Sequence, residues 1–146
     1  MFCTETDIVG RMTQSGYDQI VDRNQDGDVD DDMGSVTDDA IQFAQSEIES
    51  ALVGVFGLSY LRSLEGNTIL RDIAVAISVE RLSAIGSPDV GDRVYLDAKR
   101  ARDKLSRLAQ RAEYLPGVIY PRGSLSVPRY PRELAGRILR DCDDDG

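Results

Sequence analysis

The sequence predicts an all-α protein, a small helical bundle with an extended C-terminal arm. Apolar residues recur at helical spacing in three long segments, which is the pattern of amphipathic helices packed on one core. Four of the five prolines lie at or after position 116, where they block a continuous helix. We therefore expect a helical domain over residues 1–115 and an extended arm and tail over residues 116–146.

Two short helices are expected before residue 22. The stretch Thr4-Glu5-Thr6-Asp7 has the spacing of a capping box, with Asp in place of the usual Glu. Apolar residues that begin at Ile8 then form one face of an amphipathic helix. A second helix follows, with Ser15 as its expected N-cap and Tyr17 facing the core.

Two of the three long helices are predicted between residues 37 and 82. The first begins at Thr37, where the following acids complement the helix dipole, and ends at Gly54 and Gly57. The second runs from about Asn67 to Leu82 and is apolar over most of its surface. A helix that is hydrophobic all round has to be buried, so we expect this one at the centre of the bundle.

The third long helix is expected to start at Ser87-Pro88-Asp89, which combines an N-cap, a proline in the first turn and an early acid. Its periodicity continues to Glu113, which would make it the longest helix of the chain. Basic residues cover the faces that point away from the core: Lys99, Arg100, Arg102, Lys104, Arg107 and Arg111. They form either a solvated face or a contact with the acidic region of a neighbouring copy.

Oxygen-bearing side chains between residues 22 and 30 have the spacing of a calcium-binding EF-hand loop. The ligands would be Asp22, Asn24, Asp26, the backbone carbonyl of Asp28, and Asp30. Position 12 of the loop, which normally supplies a bidentate carboxylate, is Met33. Calcium would therefore bind weakly, with a dissociation constant of about 10⁻⁴–10⁻³ M. The alternatives are a solvated acidic turn and an acidic docking surface for a partner, and no other cofactor is expected.

The C-terminal arm carries apolar and basic side chains that suit a groove on a partner protein. These candidate partner-binding residues are Arg129, Tyr130, Arg132, Leu134, Ile138 and Leu139. Prolines among and before them favour an extended chain, which loses less entropy when it binds. The alternative interpretation of the same composition is a disordered linker.

Charge is distributed unevenly along the chain, whose net charge is −9. Residues 1–50 hold 13 acids and 2 bases, whereas residues 88–115 hold 5 acids and 7 bases. The acidic first third opposes a role in coating or reading nucleic acid. A chain that is acidic in one part and mildly basic in another suits head-to-tail association with copies of itself.

The composition argues against an enzyme. The chain has no His, which removes the commonest general base and the commonest transition-metal ligand. Its Ser and Cys residues lack a histidine partner, and no phosphate-binding loop of the GxxxxGK[ST] form occurs. The two cysteines, Cys3 and Cys142, are expected to be reduced thiols of a cytosolic protein. No apolar stretch approaches the roughly 20 residues that span a bilayer, so no membrane contact is expected.

Several short motifs occur in a fixed order along the chain. They are Thr4-Glu5-Thr6-Asp7-Ile8-Val9-Gly10-Arg11, the turn from Asp22 to Gly27, the helix positions Ala40, Ile41, Ala44, Ile48 and Leu52, the element Asp72-Ile73-Ala74, the helix positions Arg93, Ala98 and Leu105, and the tail motif Arg132-Glu133-Leu134-Ala135-Gly136. With this order and spacing, the chain resembles the head–tail connector (adaptor) proteins of tailed bacteriophages, of the Mu-like type.

The resemblance implies a structural virion protein without catalytic activity. Such a protein forms a homo-oligomeric ring, commonly of twelve copies, that joins the portal to a tail-side or neck protein and lets DNA pass without reading its sequence. The C-terminal arm would reach onto the portal. The protein would be assembled in the host bacterial cytoplasm and reside at the head–tail junction of the virion. The rival hypothesis is a calcium-dependent protein-binding module with a degenerate EF-hand-like loop.

Overall fold

The fold is an all-α bundle, as predicted. A computed structural model describes residues 1–21, 33–86, 91–111 and 113–120, and these residues form six helices and no strand. The helices are α1 (Glu5–Met12), α2 (Gln14–Val21), α3 (Met33–Phe56), α4 (Leu58–Ser63), α5 (Thr68–Gly86) and α6 (Asp92–Ala109). The predicted calcium ligands at 22–30, the partner-binding residues at 129–139 and Cys142 lie outside the described residues.

Helix α1 begins with the predicted capping box. The Thr4 hydroxyl accepts a hydrogen bond from the Asp7 backbone N–H at 3.4 Å, and the Asp7 carboxylate accepts one from the Thr4 N–H at 2.9 Å. The same carboxylate accepts the Thr4 hydroxyl proton at 2.8 Å. These hydrogen bonds favour the charged form and lower the pKa of Asp7.

The N-cap of helix α2 is Thr13, and the prediction of Ser15 was wrong. The Thr13 hydroxyl accepts a hydrogen bond from the Gly16 N–H at 3.4 Å, and its carbonyl accepts the first helical bond from the Tyr17 N–H at 3.0 Å. Thr13 does this with a φ of 77°, a left-handed conformation that β-branched residues rarely adopt. The chain therefore turns sharply from α1 into α2 over a single residue.

Helix α3 starts at Met33, four residues before the predicted start, and has 24 residues. It continues through Gly54 and ends at Phe56, because Gly57 has a φ of 71° that helical residues do not adopt. The short helix α4, which the sequence pattern did not indicate, follows at once. Arg62 in α4 pairs with Glu49 in α3 at 3.2 Å and so holds the short helix against the long one.

Helix α5 is the central helix, as predicted, and it contacts α1, α2, α3 and α6. Every residue from 73 to 79 is buried, including the polar Ser78. The Ser78 hydroxyl donates to the Ala40 carbonyl of α3 at 3.3 Å, and the Cys3 thiol lies 3.7 Å from the same hydroxyl. This arrangement satisfies the buried hydroxyl, and burial raises the pKa of the Cys3 thiol.

Helix α6 is shorter than expected, with 18 residues, so the prediction that it is the longest helix was wrong. It begins at Asp92 after the N-cap Gly91 and ends at Ala109, and the predicted start at Ser87-Pro88-Asp89 lies outside the described residues. The predicted apolar stripe is confirmed, since four of its members are buried: Ala98, Ala101, Leu105 and Leu108. Within the described residues, no helix is long and apolar enough to cross a membrane.

Candidate functional site

The site residues that the sequence predicts lie in two segments outside the described part of the chain. The residues that adjoin these segments are described. Residues 22–32 connect α2 to α3, and Met33 is the first residue of α3. Position 12 of the EF-hand pattern is therefore the first residue of α3, the helix that follows the loop. Within the described ranges, no three acidic or thiol side chains come together as a metal site.

Residues 113–120 lie against an aromatic cluster, which we call the aromatic corner. It consists of Phe56 at the end of α3, Tyr60 in α4, Tyr114 and Tyr120. The Tyr120 ring lies 4.9 Å from the rings of both Phe56 and Tyr114, and the Phe56 ring lies 6.1 Å from that of Tyr60. Tilted and edge-on ring pairs at these distances are attractive beyond the area that they bury.

Hydrogen bonds fix the backbone at the aromatic corner. The Tyr120 hydroxyl accepts a bond from the Leu115 N–H at 2.7 Å, and the Tyr60 hydroxyl accepts one from the Ile119 N–H at 3.3 Å. Between them, Pro116 and Gly117 form a turn in which the Val118 N–H donates to the Leu115 carbonyl at 3.3 Å. Gly117 has a φ of 73°, which this turn requires and which glycine adopts without strain.

The turn reverses the chain, so the first residues of the predicted arm lie on the helical domain. Leu115 is fully buried, and Val118 and Tyr120 are half-buried against the core. The sequence predicted that the extended arm begins at residue 116, whereas residues 116–120 turn back onto the helical domain. The Pro-Gly pair is also typical of a turn that reverses the chain. It could have predicted that the following residues pack on the domain.

A second candidate surface is a cleft of about 650 Å³ between the end of α1, helix α5 and the start of α6. We call it the basic cleft. Its apolar wall is lined by Met12, Ala76, Val79 and Val94. Its charged side chains are Arg11, Arg93 and Asp97. The cleft therefore combines apolar surface with a rim in which two positive charges face one negative charge.

Asp97 organises the charges of the basic cleft. One of its oxygens lies 3.2 Å from the Arg11 guanidinium, and the other lies 3.6 Å from that of Arg100. Arg93 is exposed and takes part in none of the ion pairs formed within the described part of the chain. It is thus the rim cation that is available to an external anion.

Thr13 also lines the basic cleft, and its backbone conformation is unusual. Its φ of 77° and ψ of 147° lie in a region that is populated almost only by glycine. A residue held there costs about 1–3 kcal/mol. The strain lies where the chain bends from α1 to α2, and the bend forms one end of the cleft.

One of the basic residues of α6 has an internal role that the sequence did not indicate. Arg102 pairs with Glu47 of α3 at 2.8 Å and with Glu80 of α5 at 2.7 Å, so one guanidinium joins three helices. The hydrogen bond to Glu80 is the main cause that raises the pKa of Arg102. Three charges that converge from distant parts of the sequence leave no local pattern, which is why this contact was missed.

A third surface lies on α3, where one stripe of side chains points away from the core. It consists of Asp39, Phe43, Ser46 and Ser50, all exposed, and we call it the α3 outer face. The Phe43 side chain is 43% exposed, so its ring is accessible from outside the domain. Arg81 of α5 lies over the Phe43 ring at 5.1 Å and holds its position by a cation–π contact.

No protein-family model, no curated protein and no solved structure matches the chain. The described residues present three candidate surfaces: the aromatic corner, the basic cleft and the α3 outer face.

Proposed function

We propose that this chain is a structural head–tail connector of a tailed-phage virion, which forms a ring that joins the portal to the tail and lets DNA pass. The observation that carries the proposal is the order of elements along the chain. A capped short helix precedes an Asp-rich segment, a long amphipathic helix, an apolar central helix, a basic helix and a proline-spaced C-terminal segment. The proposal assigns no catalytic step and no sequence-specific DNA contact to the protein.

The aromatic corner supports the part of the proposal that concerns the arm. It fixes the chain as far as Tyr120, so the segment that would reach a partner begins at residue 121. An extended proline-rich chain rises about 3.1 Å per residue, so residues 121–131 would reach about 34 Å from that anchor. Tyr130, Leu134 and Leu139 would then bury in a groove of the portal, where Arg129 and Arg132 would meet acidic groups.

A truncation separates the arm from the domain. A chain that ends after Tyr120 keeps every contact of the aromatic corner and should unfold at the same temperature as the full chain. It should lose stable binding to the portal protein of the same phage, measured by co-sedimentation. The matched control is a full-length chain in which the three acids from Asp143 to Asp145 are replaced by Asn, and it should bind as the wild type does.

The arm has no docking role if the truncated chain binds the portal as tightly as the full chain. The connector proposal as a whole fails if the full chain binds no portal under any tested salt condition. Equal unfolding temperatures are needed for either conclusion, because they show that the truncated domain is folded.

One observation favours the alternative, a calcium-dependent binding module. Helices α2 and α3 flank the EF-hand-like segment, so the acids at 22–30 lie between two helices as the motif requires. Calorimetry with the full chain tests this alternative, and Asp26→Ala provides the control. The connector proposal predicts weak or no calcium binding and the same portal affinity with and without a chelator. Submicromolar calcium affinity, coupled to binding of a partner, would favour the module instead.

A further inference from the structure

The basic cleft and the α3 outer face have complementary chemistry. The cleft presents apolar side chains beside Arg93, and the outer face presents the apolar ring of Phe43 one helical turn from Asp39. Neither Arg93 nor Asp39 takes part in an ion pair within the described residues. The cleft therefore has an apolar wall and an unpaired cation, and the α3 outer face has an exposed ring and an unpaired anion.

The two surfaces lie on nearly opposite sides of α5. Val79 lines the basic cleft, whereas Arg81 lies over Phe43 at the α3 outer face. Two residues of separation on an α-helix correspond to a rotation of about 200°. The two surfaces therefore cannot meet within one molecule, but one can meet the other on a neighbouring molecule.

We propose that the α3 outer face of one copy docks in the basic cleft of the next copy. Phe43 packs against the apolar wall that Val79 and Val94 form, and Asp39 pairs with Arg93. Arg81, which accompanies the Phe43 ring, approaches Asp97, the carboxylate of the cleft. This inference rests on the proposed function in one respect, namely that copies of the chain assemble with each other.

A contact of this kind is compatible with a ring. An interface between two different surfaces is heterologous, and repetition of such a contact gives a closed ring when the rotation closes. Ser46 and Ser50 on the α3 outer face are small, so they allow the neighbouring backbone to approach closely. The rim charges set the register of the contact and disfavour its reversal, because like charges would then face each other.

Charge reversal at Arg93 and Asp39 tests the contact. The full-length variants Arg93→Glu and Asp39→Lys should each weaken self-association by about tenfold or more, because each places like charges in contact. Mixing the two variants in equal amounts should restore assembly, and so should the double variant. In the double variant, and in a mixture in which the two variants alternate, every interface again pairs opposite charges. Sedimentation velocity, with and without portal protein present, measures the assembly.

Matched controls are Lys99→Glu and Asp103→Lys, which reverse exposed charges of α6 outside the proposed contact. They should assemble as the wild type does. Phe43→Ser provides a test that does not depend on charge, and it should weaken assembly in both the wild type and the restored double variant. Thermal unfolding followed by circular dichroism verifies that each variant is folded.

The outcomes separate this inference from the proposed function. If the wild type assembles and the single variants assemble equally well, the interface is wrong and the connector proposal stands. If the single variants fail but neither the mixture nor the double variant recovers, the two surfaces do not meet each other and the interface is again wrong. If the wild type stays monomeric with and without portal, both proposals fail.

Discussion

Helices α5 and α6 have almost the same length, 19 and 18 residues, but different relations to solvent. Helix α5 contains four charged residues and is buried on all sides from residue 73 to residue 79. Helix α6 contains nine charged residues and buries a single stripe. The stability of the bundle is therefore concentrated in α5, while α6 has most of its surface available for contacts with other molecules.

This difference explains the position of one candidate surface, the basic cleft. A buried helix cannot change a side chain without changing the packing around it, because protein interiors are close-packed. A helix attached by one stripe can vary its other faces with little effect on the fold. The basic cleft lies where the two helices meet: α5 supplies Ala76 and Val79, and α6 supplies Arg93 and Asp97.

The largest expected effect on the free energy of unfolding is that of a substitution in the buried helix α5. Ile77 is fully buried in α5, and Ile77→Ala should lower the free energy of unfolding by about 2–5 kcal/mol through lost burial and a residual cavity. The matched change on α6 is Leu96→Ala, at a residue that is 47% exposed, and it should cost about 0.5 kcal/mol or less. Urea denaturation measures both. Equal losses would contradict the concentration of stability in α5.

The next effect tests the link between the two helices. Arg102→Met removes the cation that joins Glu47 and Glu80, and the two carboxylates then lie close together without a counter-charge. We expect a loss of about 1–2 kcal/mol, between the values for exposed and buried pairs, and a smaller loss in high salt. Lys99→Met is the control, because this residue forms no ion pair within the described ranges. A variant as stable as the wild type at low salt would show that the link contributes nothing.

A smaller effect concerns α1, which contacts α5 through Asp7 and Arg71. Asp7→Ala removes half of the capping box and should cost about 1 kcal/mol at neutral pH. Because the pKa of Asp7 is lowered in the folded state, its contribution is present above the unfolded pKa of about 3.9 and is lost as the pH falls through the lower folded value. The difference between wild type and variant should therefore shrink in acid. A difference that grows in acid would reverse the sign of this linkage.

The smallest effect is at the other end of α1, where Arg11 pairs with Asp97 of α6. Both side chains are partly exposed, and exposed pairs contribute roughly 0–1 kcal/mol. Arg11→Ala should therefore change the free energy of unfolding less than Asp7→Ala does. The same urea series at low and high salt measures it. A larger loss for Arg11→Ala would mean that α6 depends on polar contacts more than its single buried stripe suggests.

The sequence predicted the parts of the fold that depend on local pattern. The capping box at Thr4, the apolar character of α5 and the buried stripe of α6 are all set by residues within a few turns of each other. Helix ends were predicted less well, because Gly54 is compatible with a helix interior whereas Gly57, with its positive φ, is not. These two glycines look alike in the sequence, and only the backbone conformation distinguishes them.

The candidate surfaces were harder to predict, because each joins residues that are distant in sequence. Arg11 and Asp97 meet across 86 positions, and the Tyr60 hydroxyl binds a backbone N–H 59 positions away. The hydrophobic periodicity of a sequence does not indicate contacts between such distant residues. The predicted metal and partner residues, Asp22 to Asp30 and Arg129 to Leu139, lie outside the described residues and stay predictions.

Native mass spectrometry of the full chain, alone and mixed with a portal protein encoded in the same genome, tests the connector proposal most directly. The account predicts a complex that contains one portal ring and one ring of this chain, with twelve copies as the expected number. It also predicts that a chelator leaves the complex intact. A chain that remains monomeric beside an intact portal ring, over the full range of salt and protein concentration, would contradict it.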